Sequence, residues 1–135
     1  MKEFKFIEHT ADIKFQAFGN TLEEAFKNSA IALTKSMYEG KIKEKISKKI
    51  KVKGKDNERL LFEFLGELIF LLDSEDFILS KIKNLKIKNN KLEAEVIGDN
   101  ASDYDFSNEV KAVTYNEMFV KKQNNKYVIQ VIVDV

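Results

Sequence analysis

The chain has no cysteine and a single histidine. The first absence excludes disulfides, thiolate metal sites and a thiol nucleophile, and is compatible with a reducing cytosol. The second excludes a metal centre built on several imidazoles. Net charge is just as scarce. With 23 basic and 22 acidic residues the formal charge is +1, so no global field points to nucleic acid or an anionic membrane, and any basic surface must be local. The start, MKEFKFIEH, lacks the long apolar core of a signal peptide. The most apolar run, LLFEFLGELIFLL from Leu60, is interrupted by Glu63 and Glu67 and falls short of the ~20 residues a membrane span needs. It reads as a buried helix. No Gly-rich phosphate loop or nucleophile elbow is present, which sets aside a nucleotide enzyme with a standard cradle.

What is there is enough for one domain, residues 1–135, with 44% hydrophobic and 33% charged residues placing it among ordinary folded proteins. Residues 3–8 and 12–18 alternate Phe and Ile with polar residues, predicting two short strands that meet at a turn. In the second, Ile13, Phe15 and Ala17 share one face. Thr21 and Glu24 form a capping box, and Leu22, Ala25, Phe26, Ala30, Leu33 and Met37 recur at spacings of three and four. A helix of about four turns ending near Gly40 follows. In residues 41–55, Ile42, Ile46, Ile50 and Val52 alternate with lysines, as in a strand with one wet face. This lysine strip reads either as an RNA-facing surface or as an edge strand protected from aggregation. Asp56 caps the helix that carries the long apolar run, which is apolar on so many sides that more than one face must be covered. Hairpins are predicted around Asn89–Asn90 and around Asn124–Asn125, and the last strand, apolar on both faces, is predicted to be central. Between the hairpins, residues 98–109 form a long polar loop.

The candidate chemistry is carboxylate chemistry. Asp134 ends an apolar strand, and one residue later Val135 brings the terminal carboxylate. Carboxylates crowded in this way repel one another unless a cation neutralises them. If Asp12, at the start of the second strand, lies beside them, three oxygen donors converge, a set suited to Mg²⁺, Ca²⁺ or Mn²⁺. The alternative is that Asp12 caps a turn by accepting from backbone amides. His9 reads as a ligand, a general base or a core histidine. Asp99, Asp103 and Asp105 resemble a fragment of a calcium loop but lack its Gly and closing Glu, and solvated loop acids fit them better. Lys111 is a solvated strand end unless the carboxylate cluster lies beside it.

Several stretches fit together. HTADI at 9–13, the helix opened by TLEEAF, LLFEFLGELIFLLD in mid-chain, EVKAVTY at 109–115 and the terminal VIVDV resemble, in order and spacing, the archease family. The resemblance covers essentially the whole chain. It implies an α+β fold in a single compact domain, with two main helices packed on an antiparallel or mixed β-sheet. It also implies a job that is not enzymatic: archeases are protein cofactors of the RtcB-type RNA ligase, promoting guanylylation of the ligase's active-site histidine from GTP and multiple turnover in tRNA splicing and RNA repair. The partner is then the ligase, tRNA is reached through it, no membrane is involved, and the setting is cytoplasmic. Carried over by motif, the family's divalent metal site (Ca, or Mg or Mn) falls on Asp12, Asp134 and the terminal carboxylate of Val135. Lys111 is linked to activity, and His9 belongs to the first motif without a specific role. Two departures stand out: Asn116 occupies a position where family members often have histidine, and the loop around 105–108 lacks another. The rival readings are a small metal-dependent hydrolase using the same carboxylates and an RNA-binding module using residues 41–55.

Overall fold

The structure is a computed structural model, and it describes residues 2–8 and 12–135. Along the chain these form strands β1 (Phe4–Ile7) and β2 (Ile13–Gly19), helix α1 (Leu22–Met37), strand β3 (Ile46–Lys53) and helix α2 (Asn57–Glu75). Strands β4 (Phe77–Lys88), β5 (Lys91–Asn100), β6 (Ala112–Gln123) and β7 (Lys126–Asp134) follow.

Both helices start where their caps predict. The Thr21 hydroxyl accepts from the Glu24 N–H, and the Glu24 carboxylate accepts from the Asn20 N–H, one residue before the usual partner in a capping box. The Asp56 carboxylate accepts from the Arg59 N–H at 2.8 Å. The first helix stops at Met37, three residues before Gly40, where Tyr38 leaves the helix extended and its ring packs edge-on against Tyr104.

The strands form two sheets, four-stranded in the order β1–β2–β7–β6 and three-stranded in the order β3–β5–β4, and every neighbouring pair is antiparallel. The expectation of a single antiparallel or mixed sheet is refined accordingly. Both helices touch both sheets: α1 packs on β2, β7 and β4, and α2 on β6, β3 and β4. Period-2 patterning cannot assign a strand to one of two sheets, so this division was not readable from the sequence.

The arrangement explains the all-round apolar character of α2. Leu60, Leu61, Phe64 and Leu65 are fully buried, with the Phe64 ring stacked 5.9 Å from Phe26 of α1. The central placement expected of β7 holds: Ile129, Val131, Ile132 and Val133 are all buried between β2 and β6. Both hairpin turns fall at Asn-Asn pairs with positive φ (53° and 61° at Asn89 and Asn90, 52° and 64° at Asn124 and Asn125), the conformation that fits the twist of two-residue hairpins. The lysine-rich strand begins only at Ile46. Residues 41–45 lie outside any strand, although Ile42 is buried there.

Candidate functional site

Strand register decides which of the predicted residues meet. The ladder between β2 and β7 runs to the pair Ile13–Val133, so Asp12 and Asp134 are the next residues along two neighbouring strands. On the other side of β7, Ala112 of β6 faces Asp134, and the Lys111 N–H donates to the Asp134 carbonyl at 2.7 Å. Val135 is half-buried and packs on the core, while Asp134 and Lys111 are exposed. Four positions singled out in the sequence thus gather at one end of the four-stranded sheet. His9 lies outside the described residues.

Asp12 also lines a cleft of ≈350 Å³. One wall is the last turn of α1, where Lys35 donates to the carbonyls of Glu39 and Gly40 at 3.2 and 2.9 Å. The opposite wall is the loop before β6, tied to the same helix end by the Ser107 N–H on the Met37 carbonyl and by the Asn108 amide on the Ser36 carbonyl. Glu8 and Glu39 share the cleft with Asp12, and two lysines line it as well: Lys35, whose ammonium is directed at backbone, and Lys14, which is paired with Glu117.

On the face of β2 and β7 that does not bear Phe15 and Val131, a polar strip continues from this end. Lys14 pairs with Glu117 at 2.8 Å, Gln16 donates to Gln130 at 2.9 Å, and Gln130 donates to the Glu117 carbonyl at 2.8 Å. The strip exists because β6 bulges: between the pairs Thr114–Ile132 and Phe119–Gln130, four residues of β6 oppose only Val131, and Glu117 takes φ 55°. The sequence reading missed this bulge. Its signal was a change of parity, since core-packed residues fall on the odd position 113 and then on the even positions 118 and 120. At the first residue of the bulge, Tyr115 lies flat on Phe62 of α2 with centroids 4.3 Å apart, and its hydroxyl accepts from Arg59 at 3.0 Å, which raises the guanidinium pKa.

The polar loop is corrected in one respect. Asp99 is a buried strand residue and not a solvated loop acid: it accepts from the Tyr104 hydroxyl at 2.7 Å and from the Asn100 N–H at 2.8 Å. Asp103 and Asp105 are exposed as expected, and so is Asn116. Among the described residues no three His, Cys, Asp or Glu side chains group to hold a metal. A cation between Asp12 and Asp134 would therefore draw on the terminal carboxylate or on groups outside the described residues.

The model of the archease protein family matches residues 4–135. The chain belongs to the archease family. Protein archease of Sulfurisphaera tokodaii is 36% identical over 139 residues, covering 100% of both chains. Protein 1598 of Methanobacterium thermoautotrophicum, solved in solution, is 31% identical with a TM-score of 0.85 over 100% of both chains. The crystal structure of a Thermotoga maritima archease, described as a possible chaperone, shares the fold at 22% identity and a TM-score of 0.67, covering 97% of this chain and 96% of that one. The α+β expectation holds. No helix among the described residues is long and apolar enough to cross a membrane.

Proposed function

We propose that this protein is a cytoplasmic, non-enzymatic cofactor of an RtcB-type RNA ligase. It promotes guanylylation of the ligase's active-site histidine from GTP and so sustains turnover in tRNA splicing and RNA repair. The observation that carries the reading is the convergence of Asp12, Asp134 and Lys111 at one sheet end in a chain of this family. These are the positions of the first, last and KAVTY motifs, and the two aspartates come from sequence more than a hundred residues apart.

The donor set at that end is made only of oxygens: two aspartates and the terminal carboxylate of Val135. It fits a hard divalent ion, Ca²⁺, Mg²⁺ or Mn²⁺, and not a soft one. Such an ion would neutralise the carboxylates and bring positive charge to the nucleotide's phosphates. The chain's own part is placement. Backbone pairing fixes Asp134 between its neighbours, and the Lys111 N–H on the Asp134 carbonyl holds Lys111, exposed and without an ion pair among the described residues, at the same sheet end. Transfer of a nucleotidyl group depends mainly on alignment and charge neutralisation, so a partner that improves both accelerates it without forming a bond to substrate.

The test is transfer of labelled guanylate from GTP to the cognate ligase with sub-stoichiometric amounts of this protein. Wild type should speed labelling, and Asp12→Ala or Asp134→Ala should abolish the effect while circular dichroism stays unchanged. Folded aspartate variants that stimulate normally would overturn the site, and no stimulation by wild type would overturn the function.

A further inference from the structure

The three-stranded sheet presents one face to the helices and the other away from them. Register arranges the outward residues in rows across the strands: three lysine-rich rows, Lys49–Glu95–Lys83, Lys51–Glu93–Lys86 and Lys53–Lys91–Lys88, and beyond them Ser47–Ile97–Lys81, with Ile97 buried at its centre. Both outer strands are lined with lysine, and glutamate occurs only on the central one. An irregularity in β4 keeps this pattern. Between Lys83 and Lys86, Asn84 (φ 54°) and Leu85 together oppose the single residue Ala94, so Leu85 turns inward and is buried while Lys86 and Lys88 stay outside.

Seven lysines against two glutamates leave +5 on the three lysine-rich rows, and with +1 for the whole chain the remainder carries −4. The glutamates neutralise little of it. Glu93 pairs with Lys51 at 3.2 Å, and Glu95 accepts from the Ser47 hydroxyl at 2.6 Å. Lys49, Lys53, Lys83, Lys86, Lys88 and Lys91 are exposed and make no ion pair among the described residues. Protecting two sheet edges from aggregation requires a charge or two on each. It does not require Lys53, Lys91 and Lys88 directly opposite one another, an arrangement that costs stability.

We propose that this face docks the phosphate backbone of structured RNA; the choice of RNA over other polyanions rests on the function proposed above. On a pleated sheet the lysines of one strand stand ~7 Å apart, and the two lysine strands ~10 Å apart. This is a rigid grid of cations on flexible stems, suited to rows of phosphates. None of the residues in the three rows is aromatic, so bases have nothing to stack on and the contact is with backbone and shape, not sequence. None is apolar either, so nothing on the grid inserts into a bilayer. At the Lys53–Lys91 end the face borders a cleft of ≈910 Å³ that is mixed in charge: Lys55 and Arg59 line it, but so do Glu67 and Glu63, and Glu63 pairs with Arg59 at 2.7 Å.

The test is an anisotropy titration of a labelled tRNA transcript at several NaCl concentrations. Binding should weaken with a log–log salt slope of about −3 to −5, as expected for roughly five phosphate contacts. The triple variant Lys51→Gln, Lys53→Gln, Lys86→Gln should lose at least tenfold in affinity and flatten the slope by about 2. The matched triple Lys5→Gln, Lys122→Gln, Lys126→Gln on the other sheet should change neither, with circular dichroism checking both folds. Four results would overturn the proposal: no salt-dependent tRNA binding, an equal loss in the matched triple, binding to anionic vesicles without binding to tRNA, or tighter binding to a DNA duplex. The guanylylation assay separates the two readings. Ligase stimulation without tRNA binding overturns the docking face alone, and tRNA binding without stimulation overturns the ligase reading alone.

Discussion

The Tyr104 hydroxyl and the Asn100 N–H both converge on Asp99, and this pair of donors, the hydroxyl foremost, holds its carboxyl below the usual aspartate range. A carboxyl with a lowered folded pKa adds stability that is fully present above its unfolded value of ~3.9 and is lost as pH falls through the folded value. Tyr104→Phe should therefore melt below wild type at pH 7, and the gap should narrow as the pH drops below about 4. Part of the gap should persist, because the hydroxyl also accepts from the Lys43 N–H at 3.0 Å, a bond that does not titrate. A gap constant from pH 3 to 7 would mean the Lys43 contact is the only one that counts. At this scale the sequence was readable where a residue's setting was local. Asp12 and Asp134 announced themselves as acids at strand ends, and Thr21 and Asp56 as caps. Asp99 did not, because its partner Tyr104 lies across a turn and its burial depends on residues 43–45, which cover that end of the sheet.

Helix α2 contains Gly66 midway, and a methyl group added there would meet nothing within 4 Å. Glycine inside a helix costs ~1 kcal/mol relative to alanine, so Gly66→Ala should raise unfolding stability by about that amount in a urea titration. Gly98 is the opposite case. Its missing side chain leaves room for the Ile78 carbonyl oxygen of β4, and a Cβ there would collide with backbone that cannot yield. Gly98→Ala should cost ~3 kcal/mol, at the large end for single substitutions, because the β4–β5 ladder must shift. Elements were largely legible before their partners were. Caps, hairpin turns and the alternation of β2 came from short-range chemistry. The β6 bulge did not, because it is held by long-range bonds from Lys14 and Gln130 to Glu117.

For the molecule as a whole, the lysine grid sets stability against binding. Lys91 stands between Lys53 and Lys88, so Lys91→Glu replaces two like-charge pairs with two opposite ones. It should stabilise the fold by ~0.5–1 kcal/mol at low salt, with the gain shrinking in 0.5 M NaCl as screening sets in, while tRNA affinity falls. The grid was visible in the sequence only as a lysine strip on β3; its second half on β4 became part of it through pairing with β5, a relation no window along the chain contains. A different consequence follows from the position of β7. The three-stranded sheet is drawn from residues 46–100, a continuous stretch, whereas the four-stranded sheet closes only when β7 slots between β6 and a strand more than a hundred residues earlier, as in the pair Gln16–Gln130. Long-range closure carries the larger entropic delay, so pulse-labelled refolding should protect β5 amides before those of β2. Asp12 and Asp134 are then among the last residues to meet, and a binding event that needs both doubles as proof that the molecule has finished folding.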